Sequence, residues 1–132
     1  MKIFLDANII LDLIDLDRKE HKNSKKKVAK LLQNGDGLFT SCDIFTTFYY
    51  VASKRIDYDK LIALLEKILV FVQIISIDTS MIQASITLSK KYHHKDLEDI
   101  LQYICAKSSG CEMIYTNDKG FFSPDIELLC NG

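Results

Sequence analysis

Short runs rich in β-branched and aromatic residues alternate with amphipathic stretches along the whole chain, and few folds accept that order. Lys2–Leu5, Leu38–Thr40, Val70–Ile77 and Met113–Thr116 read as strands, and Ile126–Leu129 as a weaker last one. Between them lie helix-like stripes. Asn8–Leu16 carries Ile9, Ile10, Leu13, Ile14 and Leu16, and a basic segment then leads through Val28, Leu31 and Leu32 to a stop at Asn34-Gly35-Asp36-Gly37. The next helix, capped by Ser41 or Asp43, presents Ile44, Phe45, Phe48, Tyr49 and Val51. Asp57–Leu69, Thr79–Lys91 and Leu97–Ser108 complete the set, the second started by Asp78 or Thr79 and the last stopped by Gly110. Parallel neighbours need crossover connections, and helix pairs supply them here. The fold class is therefore α/β, a three-layer α/β/α sandwich with a mainly parallel sheet.

A chain of 132 residues has room for one domain, spanning 1–132, and 48% hydrophobic with 27% charged residues is ordinary for a soluble globular protein. Apolar stretches such as Leu69–Val72 are too short to span a bilayer, and the N-terminus is no signal peptide. A cytoplasmic protein with no membrane association is expected. Cys42, Cys105, Cys111 and Cys130 show no C-x-x-C pairing and read as buried thiols. A net charge of −1 argues against bulk attraction to nucleic acid. The charge is uneven, however: Arg18, Lys19, Lys22, Lys25, Lys26 and Lys27 are interrupted by one acid, Glu20, and Lys90, Lys91 and Lys95 form a second group. A solvated helix face and a phosphate-contacting role both fit these runs, with Arg18, Lys19, Lys22 and Lys95 the candidate substrate contacts.

Four aspartates carry the chemistry. Asp6 closes the first strand, Asp96 and Asp99 open the last long helix, and Asp118 follows the strand Met113–Thr116. In parallel α/β sheets, sites form outside the carboxyl ends of strands. Carboxylates distant in sequence but gathered at element ends are what Mg²⁺ or Mn²⁺ needs to act on a phosphodiester. Each also has a structural alternative. Asp6 and Asp96 can serve as helix N-caps, Asp118 as a turn residue, and Asn8 as either a cap or a support for a ligand. Asp96 and Asp99, spaced i and i+3, share a helix face, whereas Glu98 is expected to face solvent or pair with a basic neighbour. Thr116 can hold a water or a phosphate oxygen, or satisfy backbone. His93 and His94 lack partners at ligand spacing and read as solvated; Tyr49, Tyr50 and Tyr103 read as core aromatics.

In order, Phe4-Leu5-Asp6-Ala7-Asn8-Ile9-Ile10-Leu11-Asp12, Lys95-Asp96-Leu97-Glu98-Asp99-Ile100-Leu101-Gln102-Tyr103 and Ile114-Tyr115-Thr116-Asn117-Asp118-Lys119-Gly120-Phe121 resemble the PIN-domain family, in particular its single-domain VapC-like toxins. The resemblance runs nearly the length of the chain. It implies a Mg²⁺- or Mn²⁺-dependent endoribonuclease that leaves 5′-phosphate ends, a homodimer, and inhibition by a small antitoxin whose tail enters the acidic groove. On this mapping Asp6, Asp96, Asp99 and Asp118 take the catalytic positions, and Asp6, Asp99 and Asp118 hold the metal.

One position departs from the family pattern. Many members carry a Glu in the helix after the second strand, where this chain has Thr47, with Asp43 one turn earlier. Thr is a poor metal ligand, so Asp43 is the candidate substitute. Two rival functions follow: a PIN-fold binding module with impaired chemistry or an RNA-processing nuclease outside a toxin pair. A haloacid-dehalogenase-type phosphotransferase needs a second acid where Asn8 stands.

Overall fold

The computed structural model describes residues 1–132. The elements run β1 (Lys2–Leu5), α1 (Ala7–Ile14), α2 (His21–Gln33), β2 (Gly37–Ser41), α3 (Cys42–Ala52), α4 (Tyr58–Phe71), β3 (Val72–Ile75), α5 (Thr79–Tyr92), α6 (Leu97–Ser108), β4 (Met113–Tyr115) and β5 (Glu127–Leu129). All five strands form one sheet in the order β3-β2-β1-β4-β5. Every pairing is parallel, with Phe4 opposite both Phe39 and Ile114.

The order locates the site. From β1 the chain steps to β2 and β3 on one side, then returns across the sheet to β4 and β5. With the right-handed crossovers that such connections adopt, α1–α4 cover one face and α5 and α6 the other. The direction reverses between β1 and β4, so a crevice opens at their carboxyl ends. β1 is buried on both faces, with Ile3, Phe4 and Leu5 each at most 1% exposed, so it holds that crevice rigidly. Ile9, Ile10, Ile44, Phe48, Leu61 and Leu65 pack from the helical layer into one core cluster of 25 residues.

Local signals explain several boundaries. Asp78 accepts from the Met81 N–H at 2.9 Å and starts α5; Gly110, at φ +73°, ends α6 in the left-handed region that a glycine accepts without strain. Several expectations need correction. Helix α1 starts at Ala7 and stops at Ile14, because the Asp6 side chain caps it at 2.7 Å and Asp15 turns extended. Val70 belongs to α4 rather than to β3 and is 85% exposed. Tyr50 is exposed beneath the Lys54 ammonium, 4.3 Å from its ring, whereas Tyr103 is in the core. The His94 ring is half-buried, 5.0 Å from Phe122, and not solvated. Cys105 and Cys111 are buried, and burial pushes their thiols up to about 12 and about 11; Cys42 is exposed. No helix is long and apolar enough to cross a membrane.

Candidate active site

At the carboxyl end of β1, Asp6 is both a helix cap and the hub of a polar cluster. Its carboxylate accepts from the Ala7 N–H at 2.7 Å, Asn8 Nδ2 at 3.1 Å and Thr116 Oγ1 at 2.8 Å. The cap and ligand roles set against each other in the sequence are thus compatible, since Oδ1 caps and Oδ2 faces the Asn8–Thr116 pair. Thr116, fully buried just past β4, also accepts from the Asp118 N–H at 3.0 Å. Asn8 bridges the same groups, donating to Thr116 at 3.3 Å and accepting from the Asn117 N–H at 3.3 Å. One hydroxyl therefore ties the ends of β1 and β4 and sets the direction in which Asp118 leaves. Asp118 also accepts from the Gly120 N–H at 2.9 Å, so its turn role is real too.

The first turn of α6 brings the other acids across the crevice. Asp96 caps that helix by accepting from the Asp99 N–H at 3.1 Å. The Asp99 carboxyl is pushed up to about 7, by burial first and then by the charges of Asp96, Asp6, Asp118 and Glu98. Burial also raises Asp6, against the opposing pull of Thr116 and Ala7, with Asp118 and Asp96 adding to the rise. Glu98 is exposed, as its place on the helix implies, and pairs with no cation, yet partial burial and the charges of Asp43, Asp96 and Asp6 raise its carboxyl, so its charge adds to the acidic field. Gln102 Nε2 donates to Glu98 at 3.3 Å and is itself buried.

Asp43, in the first turn of α3, accepts from the buried Ser41 hydroxyl and acts on Glu98 from the opposite wall. Thr47 donates to the Asp43 carbonyl at 3.3 Å, so its hydroxyl proton serves its own helix.

These acids have no counter-charge. The ion pairs of the chain join Asp36 to the N-terminus, Asp12 to Arg18, Asp15 and Asp17 to Arg55, and Asp125 to Lys107, and none takes a carboxylate of Asp6, Asp43, Asp96, Glu98, Asp99 or Asp118. Mutually repelling carboxylates with only oxygen donors around them fit a hard cation. No three His, Cys, Asp or Glu side chains converge to ligating distance. The donor set therefore suits an ion held by one or two carboxylates directly and by others through water, the habit of Mg²⁺.

Beside the acids, a depression of about 360 Å³ is lined by Asn8, Asp118, Arg18 and Lys19, among others. Arg18 is fixed there by Asp12, whose carboxylate is 2% exposed and takes Arg18 Nε at 2.8 Å, Ser24 Oγ at 2.7 Å and Asn117 Nδ2 at 3.3 Å. Asp12 escaped the sequence reading. Its position three residues after Ile9, on the stripe that faces the core, was the available signal. Lys22 lies on another flank of α2 with His21 and Lys25, and Lys95 is exposed immediately before Asp96.

Comparisons with known proteins establish the family and the fold. Residues 3–126 match the model of the PIN domain. Over 129 residues the chain is 43% identical to Ribonuclease VapC1 of Aquifex aeolicus, covering 97% of this chain and 89% of that protein.

The chain belongs to the PIN-domain family.

Membership removes the haloacid-dehalogenase alternative. Solved structures share the PIN fold at low identity. VapBC2 from Rickettsia felis bound to a DNA fragment from its promoter matches with a TM-score of 0.74 at 17% identity, over 98% of both chains. Mycobacterium tuberculosis VapC20, a Sarcin-Ricin loop cleaving toxin, matches with a TM-score of 0.73 at 14% identity, over 90% of this chain and 92% of that one.

Proposed function

We infer that this PIN-domain protein is a divalent-metal-dependent endoribonuclease and the toxin of a toxin–antitoxin pair. The observation that carries the reading is the cluster of carboxylates without a cation at the ends of β1, β4 and the start of α6. Similarity to a ribonuclease along nearly the whole chain supports it.

Asp6, Asp99 and Asp118 would hold Mg²⁺ or Mn²⁺, one or two of them directly and the rest through water, with Asp96 completing the catalytic acids and Asp43 and Glu98 supplying further negative charge. The ion would supply Lewis-acid stabilisation of charge on the scissile phosphate and a water acidic enough to attack it. The protein's own part is positional. Asn8 and Thr116 hold Oδ2 of Asp6 in one orientation, and Thr116 sets Asp118 through its backbone. Arg18, held by Asp12, and Lys19 offer positive charge to a phosphate beside Asp118. The carboxylates repel the scissile phosphate until their charge is neutralised, which couples its engagement at the acids, though not contact of the strand elsewhere, to cation binding.

The partner reading follows the same likeness: structural neighbours include toxin–antitoxin complexes, among them one from Klebsiella pneumoniae. A small antitoxin that presents a cationic side chain to the carboxylates would silence the site. The exposed Ile82 and Ile86 of α5 offer apolar surface for a homodimer.

Incubation with unstructured RNA and Mn²⁺ tests the activity. Products should carry 5′-phosphate ends, and Asp6→Asn should stop cleavage. Cleavage that persists in EDTA, or ends bearing a 2′,3′-cyclic phosphate, would overturn the assignment.

A further inference from the structure

Three depressions on the surface share lining residues in series; charge is mixed in the first and wholly positive in the third, beyond the carboxylates. The first, beside Asp118, shares Lys19, Glu20 and Asn117 with a second that is also lined by Lys119 and Asn131. Asn131 in turn joins the second to a third, whose other lining residues are Asn23, Lys26, Lys27 and Lys30. The path thus leaves the carboxylate cluster and follows α2, a helix of 13 residues and about 20 Å.

Helical spacing explains the alignment. Asn23, Lys26, Lys27 and Lys30 fall at i, i+3, i+4 and i+7 on one face, while Ser24 and Val28 on the adjoining face are buried. The floor is fixed. Asn131 donates to Glu20 at 3.1 Å and to Ser24 at 2.8 Å, and accepts from the Tyr115 hydroxyl. Glu20, the one acid along the path beyond the first depression, is thereby engaged. Lys27 donates to the Cys130 carbonyl at 2.7 Å. Lys19, Lys26, Lys30 and Lys119 take part in none of the chain's ion pairs.

We propose that this groove carries the sugar–phosphate backbone of a single RNA strand away from the carboxylate cluster, gripped by Lys19, Lys26, Lys30 and Lys119. The proposal rests on the ribonuclease reading. A chain of lysines and asparagines without an exposed aromatic contacts phosphates and reads no bases, so the groove adds affinity without sequence preference. Its continuity with Asp118 favours a substrate strand over a separate protein partner.

Fluorescence anisotropy of a labelled unstructured RNA, titrated in EDTA over a range of salt, tests it. Each phosphate contact on a single strand contributes about 0.7 to the slope of log K against log salt. The variant Lys26→Gln/Lys30→Gln/Lys119→Gln should therefore lower the slope by about 2. Lys54→Gln/Lys60→Gln/Lys67→Gln removes the same charge elsewhere and should leave the slope unchanged. Equal melting temperatures would show both variants folded. An unchanged slope in the first variant, or an equal fall in both, overturns the groove. RNA cleavage by the wild-type protein with Mn²⁺ is scored separately. Cleavage with an unchanged slope refutes the groove alone, whereas a lost slope without any cleavage refutes the nuclease reading and keeps the groove as an RNA-binding surface.

Discussion

Replacing Asp99 by Asn should stabilise the metal-free protein and remove its stabilisation by divalent cations. The Asp99 carboxyl is pushed up to about 7 because it is buried among Asp96, Asp6, Asp118 and Glu98. A carboxyl raised above its unfolded value holds its proton more tightly in the folded state, so ionising it costs stability as pH rises. That cost is absent below about pH 4, grows between about 4 and 7, and is complete above about 7. A displacement of about three pKa units corresponds to about 4 kcal/mol, and solvent screening around this half-buried group reduces it to about 1–2 kcal/mol. For a domain of this size the gain is about 4–8 °C in Tm. Scanning calorimetry in EDTA should show that gain for Asp99→Asn at pH 7.5 and about a third of it at pH 5. Saturating Mn²⁺ should raise the Tm of the wild-type protein and leave the variant nearly unmoved. A variant less stable than wild type at pH 7.5 without metal would refute the reasoning, because Asp99 would then be a structural partner and not a strained acid.

Three further substitutions probe the supports. Glu98→Gln should weaken Mn²⁺ binding by about 10-fold in calorimetry, because it removes a charge from the acidic field. Thr116→Val keeps the shape but leaves the Asp118 N–H and Asp6 Oδ2 short of a partner, so it should cost about 1–3 kcal/mol in urea unfolding and reduce RNA cleavage. Asp12→Ala strips Arg18, Ser24 and Asn117 of a shared acceptor, and a loss of about 3 kcal/mol is expected in the same assay.

Element order and sheet class were legible because each rests on local signals. Apolar runs alternate with stripes, and Asp6 directly after β1 and Asp118 three residues after β4 are placed by those strands. Other features needed tertiary contacts. Val70 looked like strand because a continuous apolar run carries no period, and only the pairing of Val72 with Leu38 shows where the sheet begins. Glu98 faces solvent as the i, i+3 rule implies, but its side chain, held by Gln102 in the first turn, still feels the charges of Asp43, Asp96 and Asp6, which spacing alone does not show. The Asp12 network joins α1, α2 and the segment after β4 across separations of 12 to 105 residues, beyond what spacing can show. The role of Thr47 became clear from its bond to the Asp43 carbonyl, and the acids facing that wall are Asp43 and Glu98.

Calorimetric titration of Mn²⁺ into the purified protein, free of any partner and beside Asp6→Asn and Asp99→Asn, tests the central claim most directly. The account predicts saturable binding to the wild-type protein that both substitutions abolish. Absence of binding in the wild-type protein, or binding that both variants retain, would contradict it.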